Sequence, residues 1–194
     1  YLHPKYFTPN KNVLEALGVK DNEIYIILRF SSWRASHDYG QKGISHANKL
    51  SAIRAFEKYG KVFISSESKI EPELEKYKIT ISPDMMHDAL FYSSLVFADS
   101  YTIPAESTIL GVPSIIIHKT KSYYLDDQEK KYDLCFNFSE SIKDQKRAIE
   151  KGIEILQEKR SKEVWRNKKN KLIDDKIDVT SFLVSFIENN FNKE

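Results

Sequence analysis

Continuous apolar runs alternate along this chain with stretches whose apolar residues recur at helical spacing. Residues 23–30 carry Ile24, Tyr25, Ile26, Ile27 and Leu28 in succession, as suits a strand buried on both faces of a parallel sheet. Residues 61–65, 77–81, 95–98, 114–117 and 134–138 repeat that pattern and are expected to be strands. Between them, residues 45–59 set Leu50, Ile53, Ala55 and Phe56 on one helical face, and residues 85–94 do the same with Met86 and Leu90. Residues 141–159 form the clearest helix, capped by Ser141 and burying Ile142, Ile149, Ile153 and Leu156. Short helical pieces are predicted at 12–17 and 72–76, and further helices at 164–172 and 179–191, the last led by Asp178. Residues 119–133 are polar and rich in lysine and tyrosine, and read as a surface loop. Strands that alternate with helices imply right-handed crossovers and a mostly parallel sheet.

The stretch 95–117 concentrates the signals. The run Leu95-Val96-Phe97-Ala98 ends at Asp99-Ser100, where the chain leaves the sheet. Pro104 suits the first turn of the next helix, where a missing N–H costs nothing, and Glu106 is expected in that same turn, favoured by the helix dipole. Gly111 closes the helix, Pro113 prevents its continuation, and Ser114-Ile115-Ile116-Ile117 returns to the sheet. Polar clusters also follow the strands at 23–30 and 61–65, so all three lie on the rim where parallel sheets bind ligands. The expected fold is α/β: a Rossmann-like three-layer domain with a helical C-terminal tail. Residues 1–20 read as a linker and lead-in helix, 21–160 as the Rossmann-like domain, and 161–194 as a tail packed on it.

Composition narrows this picture. At 194 residues, with 41% hydrophobic and 12% aromatic content, the chain fills one real core. Its net charge of +2 gives no strong call for nucleic acid or a membrane surface. The single cysteine, Cys135, excludes an internal disulfide and fits a reducing, cytoplasmic compartment. No apolar run approaches the roughly 18–20 residues that span a bilayer. The first residue is Tyr1 rather than Met, so a longer protein is expected.

Several residues are candidates for chemistry. Arg29, directly beyond a buried strand, needs an anionic partner, either a carboxylate such as Asp99 or a ligand phosphate. Ser100 is placed to cap the following helix or to meet an anion there. The loop Trp33…His37-Asp38 pairs an imidazole with a carboxylate, a combination suited to general acid–base work, although adjacent side chains rarely bond each other. His87-Asp88 reads as a capping or packing device near a helix start. No set of His, Cys and carboxylates has metal-ligand spacing. Gly-x-Gly-x-x-Gly, a P-loop and Gly-x-Ser-x-Gly are all missing, so no dinucleotide cofactor is implied. The basic run Arg166-Asn167-Lys168-Lys169-Asn170-Lys171 is flanked by Glu163, Asp174 and Asp175 and reads as a solvated helix face.

Asp99-Ser100, then Glu106, then Leu110-Gly111-Val112-Pro113 resembles the Asp-Ser-Gly-Gly…Glu-Glu…Leu-Gly-x-Pro element of the non-hydrolysing UDP-N-acetylglucosamine 2-epimerases. Spacing is kept, with seven positions from Asp99 to Glu106 and twelve to Gly111. More loosely, the chain is similar to glycosyltransferases of GT-B fold. Over most of its length it resembles the GT-B-like family known as "domain of unknown function 354". Tyr1-x-His3-Pro4, Phe7-x-Pro9 and Leu28-Arg29-Phe30-x-x-Trp33-x-Ala35-Ser36-His37-Asp38 carry that likeness, with Ser65-Ser66-Glu67, Pro83-x-x-x-His87-Asp88 and Asp99-Ser100.

The resemblance implies the C-terminal half of a two-domain protein whose N-terminal domain lies elsewhere. That half would hold a nucleotide-sugar, a UDP-linked one by analogy. Ser100 and Thr102 would meet the diphosphate, Glu106 the ribose, and Arg29, Trp33, Ser66 and Glu67 would line the site, with His37 and Asp38 as catalytic candidates. One departure stands out: the Gly-Gly pair of the epimerases is Tyr101-Thr102 here, so the backbone approaches a pyrophosphate less freely. Glycosyl transfer or sugar epimerisation by the longer protein follows, with this half alone inactive. The alternative is a non-catalytic nucleotide-binding or protein-interaction module.

Overall fold

The computed structural model describes residues 1–32, 42–120, 122–158 and 161–191. Its centre is a five-stranded, wholly parallel sheet: β1 (Tyr25–Phe30), β2 (Lys61–Ser66), β3 (Leu95–Ala98), β4 (Ser114–Ile117) and β5 (Cys135–Phe138), in the spatial order β2-β1-β3-β4-β5. The chain starts at β1, moves out to β2, then crosses back past β1 to β3. The strand order therefore reverses at β1, and crevices outside the carboxyl ends of strands form at such a reversal.

The register explains why the strands are apolar throughout. Ile27 pairs with Val96 and Leu28 with Phe97, so alternate residues feed opposite faces and neither face is wet. On one face Ile26, Leu28, Phe97 and Ile115 meet α2 (His46–Phe56) and α6 (Ile142–Gln157). On the other, Tyr25, Ile27, Val96 and Ala98 meet α1 (Asn12–Ala16), α3 (Met86–Tyr92) and α4 (Thr102–Leu110). Serine hydroxyls begin both large helices of the first face: Ser45 accepts from the Asn48 N–H and Ser141 from the Asp144 N–H.

Residues 77–81 are not a strand. A 3-10 turn at Pro72–Tyr77 leads to one isolated bridge, Ile64 with Lys78, closed by the Ile79 N–H on the Ile64 carbonyl at 2.9 Å. Pro83 then starts a second such turn. Ile79 and Ile81 are apolar because they pack on the α1–α3 side of the core. Residues 119–133 are not all loop either, since α5 (Tyr123–Lys130) lies within them. Its polar face hid it. Leu125 and Gln128 are buried one turn apart, while Lys130–Asp126 and Lys131–Asp127 pair along its outside.

The last two helices differ from each other. Helix α7 (Ser161–Asp174) inserts Trp165 and Leu172 into the core, with Trp165 edge-on to Phe136. Helix α8 (Val179–Phe191) leaves Phe182, Leu183, Phe186 and Ile187 about half exposed. Its start is held where Tyr6 donates to the Asp178 carboxylate at 2.5 Å. Among the described residues no helix is long and apolar enough to cross a membrane.

Candidate functional site

The carboxyl ends of β2, β1 and β3 lie side by side, and the polar residues that follow them tie the three exits together. Arg29 pairs in register with Ser65, so their side chains share a face. Its guanidinium donates to Ser65 Oγ at 2.8 Å and to Glu67 Oε1 at 2.7 Å. Glu67 in turn accepts from the Ser32 N–H at 3.3 Å. The anion that Arg29 requires is therefore Glu67, one strand away, rather than Asp99. Ser66 accepts from the Ser68 N–H and shapes the same turn.

Asp99 is a structural clasp. It is buried, and its carboxylate accepts from the Ser31 N–H at 2.7 Å and the Ile44 N–H at 3.3 Å. Those bonds hold the chain leaving β1 and the chain entering α2 against the end of β3. Directly after it, Ser100 Oγ is buried and has no hydrogen-bond partner among the described residues; Arg29 Nε is in the same condition. A buried hydroxyl left unpaired costs about 1–3 kcal/mol, so a ligand acceptor is the natural complement.

Helix α4 opens at Thr102, one residue after Tyr101, and its first-turn N–H groups have no carbonyl partner within the helix. Thr102 is exposed there. No acidic side chain stands in that first turn, which corrects the placement of Glu106. Because the helix starts at Thr102, Glu106 falls in its second turn and Pro104 third along.

Glu106 is instead part of a separate cluster. It accepts from the Tyr1 hydroxyl and lies 3.2 Å from His87 Nε2. The His87 ring also faces Tyr1 and Phe7. The bond to Glu106, with burial and the carboxylate's charge, pushes the Tyr1 phenol up to about 12. Glu106, Tyr1, Tyr124 and Ile177 also line a cavity of about 380 Å³ between α4, α5 and the α7–α8 turn. Asp88 accepts from the Asn10 N–H at 2.8 Å, pinning the leading segment to α3.

Trp33, His37 and Asp38 lie outside the described residues. The structure thus brings Arg29, Ser66, Glu67, Ser100 and Thr102 to one rim and sets Glu106 beside it, on the second turn of α4. Sequence reasoning overlooked Ser65 as the Arg29 partner, and Tyr1 and His87 as partners of Glu106. The Arg29–Ser65 pairing follows from the strand register, which the sequence does not give; nothing local signals the second. Among the described residues no group of three His, Cys, Asp or Glu side chains is placed to hold a metal ion. Burial pushes the Cys135 thiol up, well away from the thiolate a nucleophile needs.

No family model matches the sequence, and no curated protein does. Solved structures do. The spinosyn forosaminyltransferase SpnP superposes with a TM-score of 0.59 at 12% identity, over 89% of this chain and 46% of that one. A putative UDP-N-acetylglucosamine 2-epimerase from Listeria monocytogenes gives 0.55 at 13%, over 100% of this chain and 51% of that one. Os79 from O. sativa, in complex with UDP, gives 0.55 at 10%, over 87% and 40%. The chain spans about half the length of these proteins, or less. At such identities the likeness is one of fold, and the fold is GT-B-like: an all-parallel Rossmann-like sheet with a helical C-terminal tail.

Proposed function

We propose that this chain is the nucleotide-sugar-binding half of a GT-B-like glycosyltransferase or UDP-sugar 2-epimerase-like enzyme. The observation that carries the reading is Ser100 Oγ, buried and unpaired where β3 delivers the chain to α4. A diphosphate seated there accepts from that hydroxyl, from Thr102, and from the first-turn N–H groups of α4. These donors are fixed before the ligand arrives, so charge that builds on a leaving diphosphate meets oriented dipoles without reorganisation. The fold of the neighbours supports the same assignment, and one of them is a complex with UDP.

Within this reading Glu106 takes the ribose hydroxyls, exchanging its bonds to Tyr1 and His87 for them. Arg29 acts through Glu67, holding the Ser66–Glu67 turn rather than meeting phosphate itself. Residues 21–160 form the binding unit, residues 1–20 its lead-in and 161–194 its tail. His37 and Asp38 are the catalytic candidates of this reading and Trp33 a further binding residue, and an acceptor and its base come from a second wall contributed by the rest of a longer protein. Membership of the "domain of unknown function 354" set belongs to the same proposal and rests on the Arg29–Asp38 and Asp99-Ser100 motifs.

The test is titration calorimetry with UDP, ADP and GDP on the chain and on Ser100→Ala. Binding of UDP that weakens about 10-fold or more in the variant is expected, the worth of one hydrogen bond to a charged acceptor. UDP bound equally well by Ser100→Ala, or no nucleotide bound at all, overturns the assignment.

A further inference from the structure

The basic run on α7 is not simply a solvated face. Lys162, Arg166 and Lys169 recur at one-turn intervals and line a single cleft of about 350 Å³ at the amino-terminal ends of the strands. Tyr25, the first residue of β1, and Ser94 and Pro113, which precede β3 and β4, also line it. Its apolar walls are Leu14, Phe91 and Tyr92. The other cations of the run point elsewhere, Lys168 reaching Asp133 at 2.5 Å.

The charges in this cleft do not balance. Asp21 is held by Lys11 at 2.5 Å, and Glu23 by Lys61 at 3.3 Å and by the Lys20 N–H. No hydrogen bond or ion pair among the described residues engages the side chains of Lys162, Arg166 or Lys169. Lys169 is half-buried, its stem lying over Gly111, where an added Cβ would stand 3.2 Å from Lys169 Cδ. Burial and then the neighbouring Arg166 push the Lys169 ammonium down. A half-buried cation beside a second cation, in a cleft whose two carboxylates are engaged by other lysines, is stabilised by an anion that enters the cleft.

We propose that this cleft binds a phosphate monoester carrying a small apolar group. The doubly charged phosphate sits among Lys162, Arg166 and Lys169, where the guanidinium offers two parallel donors. The apolar substituent lies on Phe91, Tyr92 and Leu14. The cleft is at the opposite ends of the strands from Ser100 and is independent of the nucleotide reading. Such a group reaches the protein either as a free ester or as the headgroup of phosphatidic acid.

The test is a two-dimensional amide NMR titration of the chain with phenyl phosphate and with inorganic phosphate, alongside flotation with vesicles of phosphatidylcholine containing phosphatidic acid. Saturable shifts from phenyl phosphate at Ser94, Gly111 and Lys169 are expected, with weaker binding of inorganic phosphate to the same amides. Lys169→Gln and Arg166→Gln should each weaken binding about 10-fold. Arg166 is exposed and unpaired, so its variant keeps the native spectrum even if Lys169→Gln disturbs packing. Vesicle binding that both variants lose, without phenyl phosphate binding, assigns the same chemistry to a lipid headgroup. Unsaturable shifts spread over all surface lysines, or shifts unchanged in both variants, overturn the proposal.

Discussion

The two rims of the sheet handle charge in opposite ways. At the carboxyl ends, Arg29 is matched by Glu67, and Asp99 spends its carboxylate on the backbone of two neighbouring loops. What is left unsatisfied there among the described residues includes one N–H of the already paired Arg29, the Ser100 hydroxyl and the opening turn of α4. At the amino ends the carboxylates are taken by other lysines, and α7 presents cations with no side-chain partner among the described residues. A rim of fixed dipoles suits a ligand whose charge shifts during a reaction. A rim of unpaired cations suits a ligand whose charge is permanent, and binding there depends on salt.

The largest effect should come from the residue that makes the carboxyl rim self-sufficient. Asp99→Ala leaves the part-buried N–H of Ser31 and the buried N–H of Ile44 without their acceptor. We expect a loss of about 3 kcal/mol, the cost of stranding two donors that a charged acceptor had satisfied. Asp99→Asn retains one acceptor oxygen and should recover roughly half of that loss. Urea denaturation measures both. A cost for Asp99→Ala below about 1 kcal/mol would show that the loops after β1 and before α2 are held by something else, and the contrast between the rims would fail.

A smaller effect separates backbone strain from ligand geometry on the amino rim. Gly111 closes α4 with φ +83°, and Gly18 has φ +62°. Alanine at either position should cost about 1 kcal/mol, because a side chain rarely adopts that conformation. Only at Gly111 does the new methyl meet Lys169; at Gly18 it meets nothing within 4 Å. Both variants should therefore lose similar stability in denaturant, while Gly111→Ala alone weakens phenyl phosphate binding. Equal binding by the two would detach Lys169 from that site.

Most of the fold was legible because burial on both faces leaves a plain mark. The runs at Tyr25–Phe30, Leu95–Ala98 and Ser114–Ile117 have no polar alternation to confuse them with edge strands. Where burial and pairing part company the reading failed. Ile79 and Ile81 are apolar without being in a strand, since packing against helices marks a sequence as pairing does. Helix α5 was missed for the converse reason, because its contribution to the core is little more than Leu125 and Gln128.

At the site, position along the chain was legible and partnership was not. The strand exits announced Arg29, Glu67 and Asp99, but which cation met which anion was decided by the order β2-β1-β3. The clasp of Glu106 by Tyr1 spans 105 residues and leaves no local trace. The basic run of α7 is a largely solvated face as expected, with Arg166, Asn167, Asn170 and Lys171 exposed, but its partners were not legible either. Its sequence does not say which face covers the core, and only the placement of Trp165 and Leu172 turns Arg166 and Lys169 toward a cleft.

The smallest expected effect is a pH dependence confined to the carboxyl rim. His118 follows β4, buried, with Nε2 3.3 Å from Asn137 Oδ1 and its ring edge-on to Tyr101. Burial lowers its pKa from 6.5 despite the opposing pull of the Asn137 bond and of Asp126, Glu140 and Glu129. The unfolded chain therefore binds this proton more readily than the folded one. Its contribution to stability is fully present above pH 6.5 and declines as the pH falls toward the folded-state value. His118→Asn removes the titration, so the difference in stability between wild type and variant should shift in the variant's favour between pH 7 and pH 5. Amino-rim variants such as Arg166→Gln should leave that slope untouched, because the groups that set it all face His118 from α5, β5 and the turn before α6. A slope that survives His118→Asn would place the titrating group elsewhere and leave Tyr101, with the turn it anchors beside Ser100, insensitive to acid.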